Sequence, residues 1–209
     1  LLERGKTYYF FSRLFYKIFR KDLFVKNIKT YVCNVDKDYF IERTKEYAEG
    51  IFKNALTSPD NFLMVDQIVP SSNIEDFLPY FNDIKIFLVD RDPRDLYLSE
   101  KYVWREGVVP ASPEEFVEWY KYCRKDQKRY IENENVCFLR FEDMIYDYEN
   151  TKRKIVRFAG IDEERHINPL SKFNPEISKK NTKLYLKYPQ EKENIKIIEE
   201  RLSEYLYNS

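Results

Sequence analysis

The sequence predicts an α/β fold, rich in helix, with a short parallel β-sheet flanked by helices. Three observations carry that prediction. Apolar runs at Phe62–Val65, Ile84–Val89 and Val136–Arg140 have the length and near-continuous apolar character of strands in a parallel sheet. Each gives way to charged or polar residues: Asp66-Gln67, Asp90-Arg91-Asp92 and Glu142-Asp143. Between the runs lie segments with helical spacing and recognisable helix caps. A chain of 209 residues can bury a sizeable core, and a single domain over residues 1–209 is expected.

In chain order, Thr7 to Phe19 is aromatic and apolar on most sides and reads as a largely buried helix. Gly5-Lys6-Thr7 resembles the tail of a phosphate-binding G-x-x-x-x-G-K-[ST] loop, but the first glycine and the preceding strand are missing, which favours a plain lead-in to the helix. Lys21 to Lys37 reads as a connector. Tyr39 to Leu56 carries Phe40, Tyr47, Ala48, Ile51 and Phe52 at helical intervals, with Asp38 as its cap. Ser58-Pro59-Asp60-Asn61 is a turn before the first apolar run. Ser72 and Glu75 form a capping box for a helix over Ile74 to Phe81, which leads into Ile84–Val89. This is a β-α-β unit, and the handedness rule places Asp66 and Arg91 on one edge of one parallel sheet.

The stretch from Ile84 to Ser99, IKIFLVDRDPRDLYLS, is the centre of the reading. Asp92 stands at an N-cap, Pro93 at the first helical position, where no N–H is needed, and Asp95 at the third. Arg91 therefore falls at the carboxyl end of a parallel strand beside a helix start, where open α/β sheets bind ligands, anionic ones especially. The alternative is a plain helix cap with solvated charges. Past a loop from Trp104 to Ala111, Ser112, Pro113 and Glu115 open a helix reaching about Glu132, with Phe116, Trp119, Tyr120, Cys123 and Tyr130 inward. After the strand at Val136–Arg140, Tyr148 to Ala159 is an amphipathic helix stopped by Gly160. Asn168 to Tyr188, with two prolines and the polar cluster Ser178 to Lys183, reads as a surface loop. Glu191 to Tyr207 closes the chain as a packing helix.

Composition narrows the function classes. Basic and acidic residues balance at 36 each, which disfavours a nucleic-acid partner and leaves room for a local basic pocket. Cys33, Cys123 and Cys137 are odd in number and far apart, so neither a disulfide framework nor a zinc site is indicated, and a cytoplasmic location is expected. His166 is the only histidine, which argues against a multi-histidine metal site. There is no apolar run of about eighteen residues and no signal-peptide pattern. The chain opens on Leu1 rather than Met, and a further N-terminal part is expected upstream.

These residues resemble the sulfotransferase family that uses 3′-phosphoadenosine 5′-phosphosulfate, PAPS, as donor. VDRDPRDLYLS resembles its 3′-phosphate motif, in which an arginine at a strand end and a serine eight residues later hold the donor's 3′-phosphate; here they are Arg91 and Ser99. Leu139 to Ile161 resembles the family's late strand and helix, with Phe141 in place of the usual tyrosine beside the nucleotide. SKKNTKLY falls where the family places a basic loop over the same phosphate, so Lys179, Lys180, Asn181 and Thr182 are expected to contribute donors. The likeness covers roughly Phe62 to Tyr188. It implies a P-loop-NTPase-like sulfotransferase fold, PAPS as donor, adenosine 3′,5′-bisphosphate as product, no metal, and a carbohydrate or small-molecule acceptor. Nothing in Leu1 to Tyr31 matches the family's phosphosulfate loop, of the Lys/Arg-Ser-Gly-Thr-Thr type, which is expected before Leu1.

Sulfuryl transfer needs positioning, charge compensation and a base for the acceptor proton. Asp66, at the end of its apolar run, is the candidate base; its other reading is a turn aspartate, and His166 is a second candidate. Tyr102 and Trp104, near the Gly107 loop, are candidates to line the acceptor site. Two rival functions stay open at this point. One is a non-catalytic nucleotide-binding or interaction protein on a degenerate sulfotransferase fold. The other is a P-loop kinase resting on Gly5-Lys6-Thr7.

Overall fold

The computed structural model describes residues 2–3, 31–32, 35–56, 58, 61–105 and 107–208. The chain divides into two compact units, Leu1–Leu63 and Met64–Ser209. The helix expected over Thr7 to Phe19 and the Gly5-Lys6-Thr7 motif lie outside the described residues.

In the first unit, β1 (Leu2–Glu3) pairs antiparallel with β2 (Tyr31–Val32), so the expected connector contributes one strand of a short ladder. Helix α1 (Lys37–Ala55) is present as expected, but its cap is Asp36 rather than Asp38. The Asp36 carboxylate accepts from the amides of Asp38 and Tyr39 at 3.0 Å each, which places Asp38 inside the first turn. The expected turn is closed by the Asn61 amide donating to the Ser58 carbonyl.

Phe62–Val65 is not a strand. It forms no ladder, and all four residues are exposed, Met64 at 93%. An apolar run becomes a strand only where a neighbour takes up its backbone groups, and the pairing falls elsewhere: β3 (Ile86–Asp90) is bonded to β4 (Val136–Arg140). The expected β-α-β unit is thus replaced by one that runs from β3 through the following helices to β4. Asp66 falls in an exposed bend, not on the sheet edge. The helix expected over Ile74 to Phe81 is instead two 3-10 turns, Ile74–Asp76 and Leu78–Tyr80, flanked by Asn73 with no capping bond from Ser72. Pro79 has no N–H to offer the Glu75 carbonyl, so the tighter turns replace an α-helix.

β3 and β4 run parallel in strict register, Ile86 opposite Val136 through Asp90 opposite Arg140. Ile86 and Leu88 bury one face of β3 with Ile74, Tyr130 and Val136. On the other face Phe87 meets Phe158 edge-on at 5.1 Å, while Val89 stays exposed, so the second face is only partly covered. Helix α2 (Pro93–Ser99) starts as its sequence dictates, with the Asp92 carboxylate accepting from the Arg94 amide at 2.9 Å. A π-turn, Glu100–Trp104, continues it and ends in Arg105 at φ +59°.

Helix α3 (Pro113–Arg124) begins at Ser112, whose hydroxyl accepts from the Glu115 amide, but ends eight residues before Glu132. Its last turn tightens, with the Lys125 amide on the Tyr122 carbonyl, and the Arg124 side chain turns back to the Tyr120 carbonyl and across to Asp90. After β4 come α4 (Phe141–Tyr146) and α5 (Tyr148–Ala159), the latter closed by Gly160 at φ +67°. The expected surface loop from Asn168 carries α6 (Pro175–Ser178) and two 3-10 turns, Lys179–Asn181 and Leu184–Leu186. Helix α7 (Lys192–Arg201) and a final 3-10 turn, Ser203–Tyr205, replace the longer expected helix. The second core is built by α2, α3 and α7, with Tyr97, Leu98, Phe116, Tyr120, Ile198 and Leu202 buried. Leu184 is part of it, which anchors the basic segment onto α2. Among the described residues no helix is long and apolar enough to cross a membrane.

Candidate functional site

The parallel register sets the site. Because Asp90 lies opposite Arg140, the residues that follow, Arg91 and Phe141, leave the sheet side by side. The Arg91 guanidinium carbon lies 4.9 Å from the centre of the Phe141 ring and 5.6 Å from that of Trp104. Its backbone is held from below. The Arg91 carbonyl accepts from the Tyr120 hydroxyl at 2.9 Å, and its amide donates to the Asp90 carboxylate at 3.1 Å. Asp90 in turn accepts from Arg124 Nε at 2.8 Å.

The Arg91 side chain reaches the basic segment directly: Nη2 donates to the Asn181 carbonyl. Its Nε is buried without a hydrogen-bond partner, a donor that the protein leaves unused. Burial pushes the guanidinium below its ordinary value, against the pull of the Asp95, Glu142 and Asp92 carboxylates.

Thr182 is buried beside Arg91's partner. Its hydroxyl lies 2.6 Å from the Tyr146 hydroxyl and 2.8 Å from the Lys179 carbonyl, to which it donates. Lys179 and Lys180 are exposed on their 3-10 turn. Ser99 closes α2 and is 2% exposed. The structure therefore brings Arg91, Phe141, Asn181 and Thr182 into one neighbourhood, with Ser99 farther along the helix that starts there. Asp66 lies in its exposed bend, outside this group, and His166 is exposed in the loop after α5.

Beside Thr182, several residues of the site are legible in the sequence only as cap or strand-end residues, as with Asp92, Asp95 and Glu142, or as part of the closing helix, as with Tyr207. A small cavity is lined by Asp92, Asp95, Glu142, Tyr146, Thr182 and Tyr207 among others. The Asp92 amide donates to Glu142 Oε1 at 2.8 Å, joining the two strand ends. Glu142 Oε2 sits 3.5 Å from Arg140 Nε, and burial raises the Glu142 carboxyl above its ordinary range. The second oxygen of Asp92 accepts from the Tyr207 amide at 3.0 Å and from Arg94 Nη2 at 2.6 Å. Tyr207 donates its hydroxyl to Asp143 at 2.8 Å, and burial with that carboxylate pushes the phenol up to about 12. Asp95 accepts two amides of the basic segment, Lys183 and Leu184, at 2.7 Å each. The Asp-Pro-Arg-Asp spacing signals acidic residues at a helix start, but partners some ninety residues away leave no local trace.

Chemically, Arg91 offers an unused Nε donor near two aromatic rings, with a bond to the turn that carries Lys179 and Lys180 and with Asp92, Asp95 and Glu142 close by; guanidinium donors of this kind suit an oxyanion. Among the described residues no group of three or more His, Cys, Asp or Glu is placed to hold a metal ion. A family model described as a sulfotransferase domain matches residues 76–203. No curated protein and no solved structure matches the chain.

Proposed function

This chain belongs to the sulfotransferase domain family, and we propose that it moves a sulfuryl group from PAPS to a hydroxyl or amine of a carbohydrate or small-molecule acceptor. The observation that carries this reading is Arg91, at the end of β3, with a buried Nε that has no partner and a guanidinium turned to the basic segment. An anion with several acceptor oxygens fits such a donor set.

In the proposed complex Arg91 and Ser99 hold the 3′-phosphate, Phe141 packs on the nucleotide, and Lys179, Lys180, Asn181 and Thr182 close over it. PAPS supplies an activated sulfuryl group. The acceptor oxygen or nitrogen forms the new bond to sulfur in line, the sulfur–oxygen bond to the nucleotide's 5′-phosphate breaks, and adenosine 3′,5′-bisphosphate leaves with the bonding pair. Asp66 is proposed to take the acceptor's proton, and Tyr102 and Trp104 to line the acceptor. The reading places the protein in the cytoplasm.

The test is transfer of labelled sulfate from PAPS to a panel of sugars, phenols and amines. Transfer supports the enzyme, whereas bisphosphate binding with no transfer to any acceptor favours the non-catalytic module. In that assay Asp66→Ala is expected to lower turnover about 100-fold, the usual worth of a general base, and to leave bisphosphate binding unchanged. Equal turnover removes Asp66 from the mechanism.

A further inference from the structure

We infer that Asp95 is a positioning residue for the donor site, a latch that hangs the basic turn over Arg91 by its backbone. The inference rests on the PAPS reading above. Asp95 belongs to the first turn of α2, yet that turn is already capped by Asp92 through the Arg94 amide. The Asp95 side chain points away from this duty. Its two oxygens accept from the Leu184 and Lys183 amides at 2.7 Å each, a contact between residues nearly ninety positions apart.

Two features make this more than a loop contact. Asp95 is 2% exposed, and a carboxylate so buried is costly to desolvate; Asp92 nearby adds repulsion. An apolar residue in its place would leave the Lys183 and Leu184 amides without this acceptor. Moreover, Lys183 sits at φ +53°, a conformation that a residue with a Cβ rarely adopts unless its surroundings hold it there. The carboxylate grips the amides of that residue and of the next.

The other tethers of the turn explain why the latch matters. Arg91 holds it through the Asn181 carbonyl, and Tyr146 holds it through the Thr182 hydroxyl. A phosphate drawn to the free Nε binds the same guanidinium that holds Asn181 through Nη2. The Asp95 bonds do not involve Arg91 and hold the turn independently of it. Asp95 thus acts through the loop and touches no reacting atom.

The test combines isothermal titration of adenosine 3′,5′-bisphosphate, amide hydrogen exchange, and PAPS kinetics on the full chain, with thermal denaturation to establish folding. Asp95→Asn keeps one carbonyl acceptor and is the variant to rely on should Asp95→Ala fail to fold. The expected result is bisphosphate affinity about tenfold weaker in Asp95→Asn, faster exchange at Lys183 and Leu184, and a raised KM for PAPS with kcat at saturation little changed. Affinity and exchange equal to wild type overturn the latch. A wild-type protein that binds no bisphosphate overturns the PAPS reading and Asp95's part in it, and the wild-type titration alone tells this failure from the other.

Discussion

Asp92 and Asp95 stand three residues apart in one turn and hold different parts of the molecule. Asp92 caps α2, pairs with Arg94 and receives the Tyr207 amide, whereas Asp95 receives the basic segment. Burial, with Asp92 adding to it, pushes the Asp95 carboxyl from its ordinary 3.8 up to about 6, against the pull of the two amides and Arg91. A carboxyl whose folded-state value lies above its unfolded one binds more protons when folded. Its contribution to stability is fully present below about pH 3.8 and is lost as the pH rises through about 6. Between pH 7 and pH 5, the unfolding free energy of wild type should therefore gain about 1 kcal/mol relative to that of Asp95→Asn. Urea denaturation of both proteins at the two pH values measures this, and parallel pH dependence would contradict it. At this scale the sequence placed Arg91 at a strand end and Phe141 directly after a strand, because both positions follow from local apolar runs. It did not expose the carboxylate partners, which depend on chain segments that meet only in the fold.

Helix starts were legible wherever the signal is local. The Asp92 and Ser112 caps act on amides two and three residues on, and Gly160 ends α5 in the left-handed conformation. A Cβ added at Gly160 meets nothing within 4 Å, so Gly160→Ala isolates the backbone cost of its φ. That variant is expected to lose about 1 kcal/mol of stability in chemical denaturation; an unchanged midpoint would show that Gly160 does not need this φ. Element ends were less legible because remote groups decide them. Arg124 leaves the α3 pattern for Asp90, thirty-four residues away, and Pro79 converts one expected helix into 3-10 turns. Phe62–Val65 has the composition of a strand but no ladder, since strand formation is a property of a pair rather than of a run. With it goes the argument that set Asp66 on the edge beside Arg91, so the proposed base now stands on the activity assay alone.

Across the whole molecule, the family match lies inside the unit Met64–Ser209, which also contains both buried clusters and every member of the candidate donor site. The segment after α7 returns to the sheet: the Tyr205 carbonyl accepts from both terminal nitrogens of Arg140, and the Tyr207 amide reaches Asp92. Strand ends, basic segment and the residues after α7 thus converge on a few residues around Arg91. The proposed function stands on Arg91 as the ligand of the donor's 3′-phosphate. Isothermal titration of adenosine 3′,5′-bisphosphate into wild type and Arg91→Ala, each checked for folding by circular dichroism, tests it most directly. Saturable binding by wild type, weakened about 100-fold or more in Arg91→Ala, is the result predicted; equal affinity in the two proteins, or no binding by wild type, would contradict it.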